Sequence, residues 1–181
     1  VILAGGKPVI IELKSDNDFK LTKEQVLEKI TEKTKLLVMP FPNNPTGSIM
    51  TYEELEEIAK ICIEKDIFVL SDEIYCELTY TGKHASIAQV PGMKERTIVI
   101  NGFSKSYAMT GWRLGYACGP EMIIKQMTKI HQFAIMCAPT TSQYAAVLAL
   151  RDGDLDVAKM RESYNQRRRY LINRFNEIGM D

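Results

Sequence analysis

Residues 36–75 read LLVMPFPNNPTGSIMTYEELEEIAKICIEKDIFVLSDEIY. The stretch opens on a short apolar run, Leu36-Leu37-Val38-Met39, stopped by Pro40 and a cluster of Pro, Asn and Gly residues. Thr51 followed three residues later by Glu54 fits a capping box, in which each side chain satisfies the other's unpaired backbone N–H. Leu55, Ile58, Ala59 and Cys62 then recur at helical spacing. A second apolar run, Ile67-Phe68-Val69-Leu70, comes directly after. Strand, helix, strand at these lengths is the unit from which parallel sheets are built. Neither strand alternates apolar with polar residues, as expected of a sheet covered on both faces.

The same rhythm extends outward. Upstream lies a short β-branched run, Val9 to Leu13, and then Thr22 with Gln25, a second capping box predicting a helix to about Thr34. Downstream, Thr97-Ile98-Val99-Ile100 is a third strand and Leu114 to Cys118 a fourth. The connection between them is short and carries no clear crossover helix, so the fourth strand is expected to return antiparallel. From Glu121 the pattern is helical to the end, broken at Ala138-Pro139 and at Asp152-Gly153-Asp154. The expectation is an α/β fold of three layers, α/β/α, with a mostly parallel sheet and one antiparallel strand.

Composition narrows the function classes. The chain has 181 residues, 45% hydrophobic and 25% charged, a size and profile suited to one globular domain. Its 23 basic and 23 acidic side chains cancel, which argues against nucleic acid and membrane surfaces as partners. Arg167-Arg168-Arg169 lies in a charged helical stretch and reads as a solvated face. Cys62, Cys76, Cys118 and Cys137 form no CxxC pair; they read as small buried hydrophobes in a reducing, cytoplasmic compartment. His84 and His131 pair with none of them at ligand spacing, so no metal site is expected. No apolar run reaches the roughly 20 residues of a membrane span. The start at Val1 lacks a signal peptide's features and reads as a chain cut into at an interior point.

Ligands of open α/β sheets bind beyond the carboxyl ends of the parallel strands. The residues just past each strand are therefore where a functional site is expected. Asn43-Asn44-Pro45-Thr46-Gly47 lies past the first, Ser71-Asp72-Glu73-Ile74-Tyr75 past the second, and Asn101-Gly102-Phe103-Ser104-Lys105 past the third. Parallel strands bring Asn44, Asp72, Tyr75 and Lys105 to one edge, and Arg113 begins the antiparallel strand at that same edge. A lysine condenses with an aldehyde, a carboxylate keeps a pyridinium protonated, and an arginine holds a phosphate; pyridoxal 5'-phosphate carries all three partners. Asn44 and Tyr75 both suit its ring oxygen. Singly, each residue has an ordinary reading: a turn for Asn44, a cap for Asp72, core for Tyr75, solvated surface for Lys105, an ion pair for Arg113. Their joint occurrence at the strand ends favours the shared site. His84, His131 and Glu73 read as structural, and no P-loop, GxGxxG or GxSxG elbow is present.

Asn44-Pro45-Thr46-Gly47, Asp72-Glu73-Ile74-Tyr75 and the run from Ser104-Lys105 through Arg113 to Tyr116 resemble the class I/II aminotransferases, fold-type I pyridoxal phosphate enzymes of the aspartate aminotransferase kind. The resemblance implies a Schiff base on Lys105, which then shuttles the substrate proton. It implies Asp72 on the pyridinium, Asn44 and Tyr75 on the ring oxygen, Arg113 on the phosphate, and a cis bond before Pro45. One position departs from many relatives: Gly102 stands where they have a phosphate-binding serine. The resemblance further implies that residues 1–181 are part of a cofactor-binding large domain, with 154–178 the long helix leading to a small domain. The expected reaction moves an amino group from an amino acid to a 2-oxo acid in a homodimer, with Glu121 to Leu150 near the subunit interface. The isolated segment is expected to be inactive. A carbon–sulfur β-lyase on the same scaffold, or a non-catalytic module for phosphate ligands or dimerisation, are the alternatives.

Overall fold

The computed structural model describes residues 1–180. Four strands, β1 (Leu36–Pro40), β2 (Phe68–Asp72), β3 (Thr97–Gly102) and β4 (Gly115–Cys118), form one sheet in that order. β1, β2 and β3 are parallel, and β4 pairs antiparallel with β3. The connection between β3 and β4 holds only a short 3-10 turn, Thr110–Trp112. It is a return loop and not a crossover, so the fold class is the expected mixed α/β sheet.

Helix α1 (Lys23–Lys29) precedes the sheet, and α2 (Tyr52–Glu64) carries the chain from β1 to β2. Both expected capping boxes form. Thr51 Oγ1 accepts the Glu54 N–H at 3.3 Å while the Glu54 carboxylate accepts the Thr51 N–H at 2.7 Å. Thr22 and Gln25 exchange the same pair of bonds. α2 buries Leu55, Ile58, Ala59, Ile61 and Cys62, the face read from the sequence plus Ile61. The larger of these each contribute roughly 1.5–3 kcal/mol of apolar burial. They pack with Val26 of α1, Met39, Val69, and Ile87, Val90 and Met93 from the β2–β3 connection. Lys20–Glu54 (2.7 Å) and Lys23–Glu57 (2.9 Å) bridge the first helical region to α2.

Three local expectations are corrected. Helix α1 stops at Lys29 rather than near Thr34, because Thr31 and Thr34 bond each other: the Thr34 hydroxyl accepts the Thr31 N–H and the Thr31 carbonyl accepts the Thr34 N–H. Val9 to Leu13 joins no ladder; Ile11 and Leu13 instead lie against the core. Cover over the sheet is also unequal. Met39, Val69, Ser71 and Thr97 on one face are buried, whereas Leu36 and Val38 on the other face of the edge strand β1 are 44% and 50% exposed.

The C-terminal half is helical, as α3 (Glu121–Ala134), α4 (Thr140–Asp152) and α5 (Asp154–Glu177). α4 brings Ala146 onto Phe103 and Met109, forming a second, smaller core. The break between α4 and α5 falls on Gly153, where a Cβ would lie 2.4 Å from the Ala149 carbonyl oxygen and 3.1 Å from the Tyr107 ring. Met122, Ile130, Phe133, Tyr144, Val147 and Leu148 on α3 and α4 are exposed. Among the cysteines the buried reading holds for Cys62; Cys76 is half-buried, and Cys118 and Cys137 are exposed. No helix of the described residues is long and apolar enough to cross a membrane.

Candidate active site

The register sets the geometry. Pro40 pairs with Asp72 and Asp72 with Ile100, so the carboxyl ends of β1, β2 and β3 are level, and Gly115 at the start of β4 pairs with Gly102 at the end of β3. All five candidate residues lie on or just beyond this edge.

Asn44 sits in a loop that ties itself. The Asn43 carbonyl accepts the Gly47 N–H at 2.8 Å, the Ser48 carbonyl accepts the Asn43 N–H at 2.9 Å, and Thr46 Oγ1 donates to Asn43 Oδ1 at 3.0 Å. Gly47 closes the turn at φ +73°, the left-handed region that suits glycine. The Asn44–Pro45 bond is cis, as the resemblance implied, and so is Phe41–Pro42. With Asn43 holding the loop, Asn44 reaches across 31 positions and its Nδ2 donates to Tyr75 Oη at 3.3 Å. A phenol that accepts this bond keeps its own proton for a third group.

Lys105 lies in the β3–β4 loop, half-buried, with its ammonium 5.7 Å from the centre of the Tyr75 ring. The loop is braced from within: Thr110 Oγ1 donates to the Ser104 carbonyl at 2.8 Å, and the Phe103 carbonyl accepts the Met109 N–H at 3.1 Å. Phe103 is buried between Tyr107 and Tyr116, at ring separations of 5.4 and 5.9 Å. Asn44 and Lys105 thus both lie at the Tyr75 phenol.

Asp72 ends β2, half-buried, and its Oδ1 accepts the Ile74 N–H at 3.2 Å. The turn role weighed from sequence is therefore real, but it occupies one oxygen only. Arg113 is exposed, in left-handed backbone (φ +50°), with Nη1 donating to the Thr110 carbonyl at 2.8 Å. The buried Ser142 of α4 fixes the preceding peptide by donating to the Trp112 carbonyl at 2.7 Å. Asp72 and Arg113 share the edge with the other three by register, without a direct side-chain bond to them.

A family model described as aminotransferase class I and II matches residues 1–181. The chain belongs to the class I and II aminotransferases. An aspartate aminotransferase of Pyrococcus abyssi is 47% identical over 183 residues, covering 99% of this chain and 47% of that protein. An aromatic-amino-acid aminotransferase of Thermococcus litoralis is 45% identical over 183 residues, with the same coverage of 99% and 47%. The crystal structure of an aromatic aminotransferase from Pyrococcus horikoshii OT3 superposes with a TM-score of 0.95 at 44% identity, over 99% of this chain and 49% of that one. The chain spans about half the length of the curated relatives it matches.

Two features of this aminotransferase edge were not read from the sequence. The first is why residue 102 is glycine. A Cβ there would lie 3.0 Å from Gly115 Cα, 3.0 Å from the Leu114 carbonyl oxygen and 3.3 Å from Ile74 Cδ1, so a serine there requires β4 to give by a few tenths of an ångström. Two glycines flanking the lysine loop were the available signal. The second is Ser142, distant in sequence and without any motif, whose hydroxyl shapes the peptide before Arg113. The residues present suit a phosphorylated pyridine aldehyde: an amine, a carboxylate with a free oxygen, a phenol with an available proton, and a guanidinium, all at one edge.

Proposed function

We propose that this chain carries the cofactor-binding part of a pyridoxal 5'-phosphate-dependent enzyme that transfers an amino group from an amino acid to a 2-oxo acid. The observation that supports it most is the meeting of three chemically distinct groups at the sheet edge: the Asn44 amide on the Tyr75 hydroxyl at 3.3 Å and the Lys105 ammonium 5.7 Å from the same ring. Family membership supports the same cofactor and substrate classes.

Each residue then has a task. Lys105 would hold the cofactor's aldehyde through its amine and would move a proton at the substrate's α-carbon. Asp72 holds the ring nitrogen protonated through charge and a hydrogen bond. Asn44 and Tyr75 would donate to the ring oxygen, Tyr75 with the proton that its bond from Asn44 leaves available. Arg113 holds the phosphate by a charge-assisted bond. Pyridoxal phosphate, when bound, supplies the electron sink for the pair left on the α-carbon.

Residues 1–181 are read as part of the large domain, with α5 (inside the expected 154–178) leading toward a smaller one. The exposed apolar side chains of α3 and α4 support a homodimer whose interface includes them.

The test is covalent. Incubation of the full-length protein with pyridoxal phosphate, reduction with borohydride and peptide mapping should give one modified lysine, Lys105. Lys105→Ala should lose the adduct and lower transamination by several orders of magnitude. An adduct on another lysine, or none in a folded protein, overturns the assignment.

A further inference from the structure

The carboxyl of Glu73 stands next to the candidate site in sequence but faces away from it, and nothing in the proposed reaction uses it. Glu73 is only 5% exposed. It comes directly after Asp72 and is bonded to the buried Ser71, whereas Asp72 turns its carboxylate to the Ile74 N–H. Three side chains meet it. Ser71 Oγ donates to Oε1 at 2.9 Å and Ser86 Oγ donates to the same oxygen at 2.6 Å, while His84 Nε2 lies 2.8 Å from Oε2. Two of these partners come from the far end of the loop that leaves β2.

That loop is fixed at the Glu73 end by backbone. The Ile100 carbonyl of β3 accepts the Glu73 N–H at 2.9 Å; the carbonyls of Glu73 and Tyr75 accept the N–H groups of Cys76 and Leu78, both at 2.9 Å. At its far end Ser86 caps the 3-10 turn Ile87–Gln89, accepting the Ala88 N–H at 3.3 Å, and Ile87 is buried in the main core. Tyr75 sits inside the closed loop so formed. Its hydroxyl is bonded to Asn44. A carboxylate, with two oxygens and no donor of its own, can accept from two hydroxyls and an imidazole at once.

We propose that Glu73 is a positioning residue: its buried carboxyl ties residues 84–86 back to the end of β2, and so holds the Tyr75 phenol at Asn44. In its second readout the inference rests on the proposed cofactor chemistry; its first readout needs no cofactor.

The first readout is hydrogen exchange in cofactor-free full-length protein. Glu73→Ala should accelerate exchange at the Cys76, Leu78 and Thr79 amides by about tenfold or more, with α2 and β1 little changed, the mark of a local opening. Glu73→Gln, which keeps the shape and one acceptor oxygen, should restore most of the protection. The second readout is the pH titration of visible absorbance in the pyridoxal phosphate-loaded protein. Glu73→Ala should move its midpoint in the same direction as Tyr75→Phe, and the double variant should move it no further. Exchange rising equally through α2 and the sheet, or midpoint shifts that add, overturns the proposal. Should Glu73→Ala not fold, Ser86→Ala removes the 2.6 Å bond, together with the cap on the Ala88 N–H, and carries both readouts. If wild-type protein takes up no cofactor, the functional reading fails while the exchange result still decides the role of Glu73.

Discussion

At the scale of single residues, the candidate site combines side chains chosen for chemistry with others chosen for space. Asn44, Asp72, Tyr75, Lys105 and Arg113 were legible because each is a polar group in a place where a strand has just ended or is about to begin. Gly102 was legible only as an oddity. Its reason is contact: the Gly102–Gly115 pair lets β3 and β4 approach where a Cβ would meet backbone atoms at 3.0 Å. Gly102→Ala is therefore expected to destabilise the chain by roughly 1–3 kcal/mol, the usual cost of overpacking. A urea midpoint within error of wild type would show that the two strands separate without cost. Ser142 and the partners of Glu73 carried no sequence signal, since a serine's hydroxyl finds its acceptor only after helices and loops have docked.

At the scale of elements, the strongest sequence signals were those satisfied locally. The capping boxes at Thr22 and Thr51 involve residues three apart, so the bonds form wherever the helix forms. Thr51→Ala should cost about 1 kcal/mol in denaturant unfolding, with Thr51→Ser close to wild type; equal loss in both variants would shift the cause from the cap to packing of the threonine methyl. Helix breaks at Pro139 and Gly153 were legible for the same reason: proline lacks a donor, and a Cβ at 153 collides with the preceding turn. The end of α1 was not. Ile30 to Thr34 contains no glycine or proline to mark a stop, but Thr31 and Thr34 satisfy each other's backbone and end the helix early.

At the scale of the whole molecule, the sheet and α2 enclose a core that shields Cys62 completely. Burial pushes its thiol up to about 11 from 9.0, against a weaker opposing pull from Arg96. Near neutral pH this leaves roughly a hundredfold less thiolate than an ordinary cysteine has, before access is considered. Alkylation followed by mass spectrometry should thus modify Cys62 last of the four cysteines, at a rate set by opening of the core. Labelling of Cys62 as fast as the exposed Cys137 would mean that α2 does not stay packed on the sheet. The amino-acid sequence by itself determined the element order, the antiparallel return of β4 and the residues at the sheet's carboxyl edge, because periodicity, caps and strand-end polar groups are local properties. Only the tertiary structure decided which of those residues touch. Strand register put Asn44 against Tyr75, and the loop that leaves β2 folds back on Glu73 through Ser86. It also decided that one face of β1 stands open while the other is buried. Contacts between residues far apart in the chain depend on how whole elements dock, and no local pattern encodes that.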